Sequence, residues 1–226
     1  MVNIFNSWIF GKDIPIDLLS IFVLSLIGIF ALRFYFINKE KKSNLYLALS
    51  FFMIALSFAF KILANYTAYS QTRFFEIIVS TFALKAHDAL YFIGAFFYRS
   101  LMLIGLYFLY SIYQKKQNKA SMIIIVFLIL SSMYFTYNAY YIFHAASLIF
   151  LSLLTYEYFK NYKANKEITT HLLFYSFLII SISQVFFMFI SLNQIFYAGA
   201  EIMQLFGYML LLITFILVLK HSKKRK

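Results

Sequence analysis

Apolar runs of about twenty residues recur along the whole chain, each long enough to cross a hydrocarbon layer about 30 Å thick as a helix. No other feature constrains the fold as tightly. The chain has 226 residues, 63% hydrophobic and 12% charged, whereas soluble domains run near 45–50% apolar and about 25% charged. A soluble fold of this size has too little interior to hide those runs. One Pro and six Gly leave little turn chemistry for a β-barrel, whose strands would also alternate in polarity. The expected class is therefore all-α, a polytopic helical membrane protein.

Seven spans are expected, over 15–38, 44–66, 89–113, 120–138, 141–162, 170–191 and 199–220. Asp13 can cap the first, and Pro15 suits its opening turn, where a missing N–H costs nothing. The run from Ser121 to Phe159 exceeds one membrane thickness, so it must turn. The polar break "TYNAYY" around Asn138 places that turn. The start "MVNIFNSWIFGKDIP" lacks a basic stretch followed by a small-residue cleavage site. The first apolar helix is thus expected to act as its own insertion signal.

Charge orients these spans. One set of connections carries fifteen Lys and Arg against Glu40, Glu157 and Glu167, which accounts for the whole formal charge of +12. The remaining five cations are balanced by Asp13, Asp17, Glu76, Asp88 and Glu201. The positive-inside rule makes the basic side cytoplasmic, with the N-terminus outside and the C-terminus inside. Those ends require an odd number of crossings of the plasma membrane. The basic tail 221–226 is expected to meet anionic lipid at the cytoplasmic face, not nucleic acid.

The chain also resembles itself. "KEKKSNLYLALSFFMIALSFAFK" aligns with "ANKEITTHLLFYSFLIISISQVFF", pairing Ser50, Phe51 and Ser57 with Ser176, Phe177 and Ser183. In the third and last spans Phe97, Leu101, Leu103 and Ile104 align with Phe206, Leu210, Leu212 and Ile213. The expected plan is one seven-helix domain over 1–226. Repeat one covers 15–113, a linking helix 120–138, and repeat two 141–220, in the same orientation. Parallel repeats of this kind occur among transporters. The plan resembles the SWEET sugar transporters and the microbial rhodopsins at the level of architecture. The last span, "EIMQLFGYMLLLITFILVL", has no lysine where a rhodopsin carries its Schiff base. Pro15 is the only proline, so the proline hinges of SWEET proteins have no counterpart.

Depth can be counted from the cytoplasmic lysines. Lys61 lies about 28 Å from Lys42, Arg99 about 24 Å from Lys115, Glu201 about 28 Å from Lys220 and His144 about 24 Å from Lys160. All four fall in the outer quarter, with Gln204 one turn below Glu201 and Gln184 deeper. Charge facing lipid is costly, so the polar stripes should turn inward. They outline an outward-opening, aromatic-walled pocket of Lys61, Arg99, Glu201, Gln204, Gln184 and His144. Two cations against one carboxylate would suit a small polar or anionic solute. The plainer readings stand beside it. Lys61 and Arg99 can snorkel to headgroups, Glu201 can pair structurally, and His144 and Gln184 can hydrogen-bond between helices.

The outer loop 67–86 repeats Phe74, Ile77, Ile78, Phe82 and Lys85 at helical spacing, consistent with an amphipathic surface helix. The absence of cysteine excludes thiolate metal sites and disulfides. No catalytic motif is present and no cofactor or metal is expected. Asp88 beside His87 reads as a helix cap. The expected function is binding or translocation of a small polar or anionic solute by a non-enzymatic membrane protein. The alternatives are a sensor or accessory subunit with a cytoplasmic protein partner, or a structural protein without ligand, alone or as a homo-oligomer.

Overall fold

The structure, a computed structural model, describes residues 13–37, 39, 42–74, 81–113, 123, 126–128, 130–132 and 140–224. Among these there is no strand. Six long helices carry the fold: α1 (Ile14–Ile37), α2 (Lys42–Phe74), α3 (Thr81–Ser111), α4 (Tyr140–Asn165), α5 (Ile168–Met188) and α6 (Ile195–Lys224). Each contains a stretch long and apolar enough to cross a membrane. Of the expected helix 120–138, residues 123, 126–128 and 130–132 are helical; the rest lies outside the described residues, as does the turn at Asn138.

The residues expected to form a loop at 67–86 are mostly helical extensions. α2 runs on to Phe74 and α3 begins at Thr81. No Gly or Pro interrupts 67–86, so nothing removes a backbone donor or favours leaving the helix. Residues 75–80 lie outside the described residues, so no separate surface helix is described there. α6 likewise runs to Lys224, four residues into the basic tail.

Side chains are distributed as lipid solvation requires. Leu18, Phe22, Ile29, Leu49, Leu56, Leu63, Ile202, Phe206, Met209 and Ile213 are exposed. Asp17, Lys61, Arg99, His144, Gln184, Glu201 and Gln204 are buried. Water would invert this arrangement; a hydrocarbon solvent favours it. The architecture is that of an all-helical chain with multi-pass spans.

Paired contacts give the helix directions. Asp17 meets Lys61 while Asp13 meets Asn65, so α1 and α2 are antiparallel. Tyr46 stacks near Phe108 while Phe58 meets Tyr98, so α2 and α3 are antiparallel. His144 meets Gln184 while Tyr162 meets His171, and Phe187 meets Tyr197 while Gly207 abuts Ser176; α4–α5 and α5–α6 are antiparallel too. The exception is α3 with α4. Tyr98 packs on Phe143 and Tyr113 on Tyr158, so these two run in the same direction.

Two local devices set the packing. α4 and α5 are joined by an abrupt turn in which Lys166 takes φ 50°. Its N–H bonds the Tyr162 carbonyl at 2.8 Å, the single-bond left-handed helix cap usually built with glycine. Glycines also bring helices together. A β-carbon at Gly105 would lie 2.7 Å from Ile54 Cγ1 and 3.1 Å from Ser50 O. One at Gly207 would collide with Ile180 Cγ1 and lie 3.2 Å from Ser176 O. Gly199 meets only Phe186, at 3.8 Å. We therefore expect Gly207→Val to destabilise the purified protein by about 1–3 kcal/mol. Gly199→Ala should stay within about 0.5 kcal/mol of the parent or stabilise it, with thermal unfolding in detergent as the measurement.

Candidate functional site

Three segments each present two polar residues about one turn apart at the same end of the bundle: Asp13, which precedes α1 and whose carbonyl accepts from the Asp17 N–H at 2.9 Å, with Asp17 in its first turn; Lys61 and Asn65 on α2; Tyr197 and Glu201 at the start of α6. Residues spaced i, i+4 lie one above the other on a helix face. The three pairs therefore meet as two stacked layers. In the first, Asp13 Oδ2 accepts from Asn65 Nδ2 at 2.6 Å and from the Tyr197 hydroxyl at 2.5 Å. In the second, Lys61 Nζ donates to Asp17 Oδ1 at 2.7 Å and to Glu201 Oε1 at 2.5 Å. Asp17 is 0%, Glu201 2% and Lys61 6% exposed.

An aromatic collar surrounds the second layer. Lys61 Nζ lies 5.5 Å from the Phe58 ring and 5.9 Å from that of Tyr197. From Phe58 the contacts pass to Tyr98, Phe143, His144, Phe187 and back to Tyr197. The ring draws on α2, α3, α4, α5 and α6, and so crosses the bundle. Arg99 lies over Phe143 at 5.7 Å, and its Nη1 is buried without an acceptor. Gln184 Oε1 accepts from His144 Nδ1 at 2.9 Å. Gln204 donates to Tyr208 at 3.0 Å, and Tyr208 packs edge-on against Phe58.

All six residues expected at this site are thus buried around one collar. Lys61 points into the protein at two carboxylates, which rules out the snorkelling alternative for it. Two features differ from the sequence reading. The described residues of the cluster are buried rather than lining an open cup. A recess of about 310 Å³ is lined by Ser152, Thr155, Phe159, Phe174 and Ser181, none of which belongs to the cluster. The charge balance also differs, because Asp17 joins Glu201 on the same ammonium. The predicted surplus of positive charge, the argument for an anionic solute, is absent at Lys61.

Asp13, Asp17, Asn65 and Tyr197 escaped the sequence reading as site residues. Their signal was present as three polar i, i+4 pairs inside or beside apolar helices. Asp13 does open α1, but its carboxylate reaches across to α2 and α6.

In the opposite half of the bundle, hydroxyl contacts among the described residues are mainly local, apart from Thr155 and Ser181, whose hydroxyls lie 3.3 Å apart. The hydroxyls of Ser50, Thr155 and Ser176 bond the carbonyls of Tyr46, Leu151 and Leu172 on their own helices. Phe51 and Phe215 fill the space between α2 and α6. No protein-family model, curated protein or solved structure matches the chain.

Removing one partner from a buried ion pair leaves an uncompensated charge, at about 3–5 kcal/mol. Lys61→Met should therefore destabilise strongly. Adding Asp17→Asn and Glu201→Gln to it should restore much of the loss. Thermal unfolding of the four variants (Lys61→Met, the two doubles and the triple) measures this coupling.

Proposed function

We propose that the chain is a seven-crossing membrane protein that binds or moves a small polar solute at the end of the bundle closed by the collar. In this reading it lies in the plasma membrane, with its N-terminus outside, its basic C-terminus against anionic lipid in the cytoplasm, and no enzymatic step. The observation that carries the proposal is the Asp17–Lys61–Glu201 set. Ionised groups inside a membrane-spanning bundle are costly, and they persist where a substrate or ion must be handled.

Several contacts support the topology. Parallel α3 and α4 require the chain between them to return along the bundle, which fits a linking helix over 120–138. Two parallel three-helix units also fit the packing. α1 meets α6 through the cluster, as α4 meets α3 through Tyr98 and Phe143. Ser57 bonds Ile54 O as Ser183 bonds Ile180 O. Gly105 sits on Ser50 and Ile54 as Gly207 sits on Ser176 and Ile180. These contacts favour pairing Gly105 with Gly207, about two turns from the register that aligned Phe97 with Phe206. In the new register Arg99 corresponds to Glu201, and Phe143 and Phe187 correspond to Asp17 and Lys61. The two halves thus share a frame, and the acidic cluster belongs to one seam alone. A seam between similar units is where alternating-access proteins place their sites.

The closed collar and self-satisfied hydroxyls favour a second reading, a structural membrane protein without ligand. Solute-dependent swelling of proteoliposomes separates the two. Under the first reading, at least one of a panel of neutral, cationic and anionic solutes enters protein-dependently. A variant of the collar that still folds, Tyr98→Ala, should change that rate several-fold. If no solute changes either swelling or thermal stability, the structural reading replaces the first.

The chain has no cysteine, so single-cysteine labelling maps the topology cleanly. In intact cells an impermeant maleimide should label Asn193→Cys and Asn138→Cys. Glu167→Cys and Lys116→Cys should react only after permeabilisation. Labelling of residues 116 and 138 from the same side would remove the seventh crossing.

A further inference from the structure

We infer that Asp13 and Asp17 together hold a monovalent hard cation of the sodium class, between the two carboxylate oxygens to which no protein donor reaches. Those oxygens are Asp13 Oδ1 and Asp17 Oδ2, both buried and without a hydrogen-bond partner. Each carboxylate is fixed by its other oxygen. Asp13 is held through Oδ2 by Asn65 and Tyr197, and Asp17 through Oδ1 by Lys61. The free oxygens are thus pre-oriented by their neighbours, as ligands of a metal site are.

The spacing suits one small ion. Asp13 immediately precedes α1 and accepts the Asp17 N–H at 2.9 Å, so the two side chains leave the chain about one helical turn apart, where i, i+4 β-carbons lie about 5–6 Å from each other. Two oxygens each about 2.4 Å from a hard cation are separated by about 5 Å. Charge selects the valence. Three carboxylates, Asp13, Asp17 and Glu201, surround the collar against two cations, Lys61 and Arg99, so one added positive charge completes the set. A divalent ion would overshoot that charge; among the described residues no group of three or more His, Cys, Asp or Glu is placed to hold a metal ion, so the site rests on the two carboxylates alone. Carboxylate oxygens prefer hard ions to soft ones.

The inference does not depend on a solute being carried; failure of the swelling assay would leave it intact. The test uses the full chain purified in detergent at pH 8. Sodium chloride is exchanged for N-methylglucamine chloride at constant ionic strength. The unfolding midpoint should rise saturably with sodium, by a few degrees, because a ligand that binds only the folded state stabilises it. Asp13→Asn keeps an acceptor for Asn65 and Tyr197 and should abolish the sodium effect. Asp17→Asn should do the same; should that variant not fold, Asp13→Asn decides. Equal midpoints in the two salts, a sodium effect that survives in Asp13→Asn, or a midpoint that follows pH alone would each overturn the inference. The last outcome would mean that a proton fills the role.

Discussion

A lysine ammonium deep among apolar helices must have negative partners, and Lys61 has two. Much of the architecture follows from meeting that demand. Asp17 comes from α1 and Glu201 from α6, so the two ends of the described chain are drawn onto α2. The second layer, Asp13–Asn65–Tyr197, repeats the connection one turn away. Such a network adds little net stability compared with a well-packed apolar core. What it supplies is register, since sliding any of the three helices by one turn leaves one layer without its member from that helix and carries a polar side chain out of the cluster.

The aromatic collar complements this. Rings are large, rigid and weakly polar, and their faces attract cations. Around Lys61 they exclude lipid and water while still contributing favourable contacts. Because the collar passes through five helices, displacing α1–α3 against α4–α6 must break ring contacts between α3 and α4 or hydrogen bonds between α1 and α6. The two contacts are chemically unlike, one built on carboxylates and one on Arg99 over Phe143. Any opening would therefore be lopsided.

The spans were legible because hydropathy reports solvent directly, and the solvent here is hydrocarbon. Helical phase and depth together brought Lys61, Arg99, Glu201 and His144 to one level, with Gln204 and Gln184 below it. Asp17, inside the first expected span, entered the sequence reading only through the charge count, and only closure of the α1–α2 hairpin places it opposite Lys61. The reach of α2 to Phe74 was missed because polarity was taken as the end of a helix. Polarity ends a membrane span, but a helix stops only where the backbone is broken, and "TAYSQTRF" offers no breaker. The Gly105 and Gly207 contacts depend on interhelical distance, which no single-sequence pattern encodes.

α2 continues for nine residues beyond Asn65, about 13 Å along its axis. The start of α3 accompanies it. The two form a stalk that overtops the layered cluster. The buried charges are therefore overtopped on the α2–α3 side by helix rather than by loop.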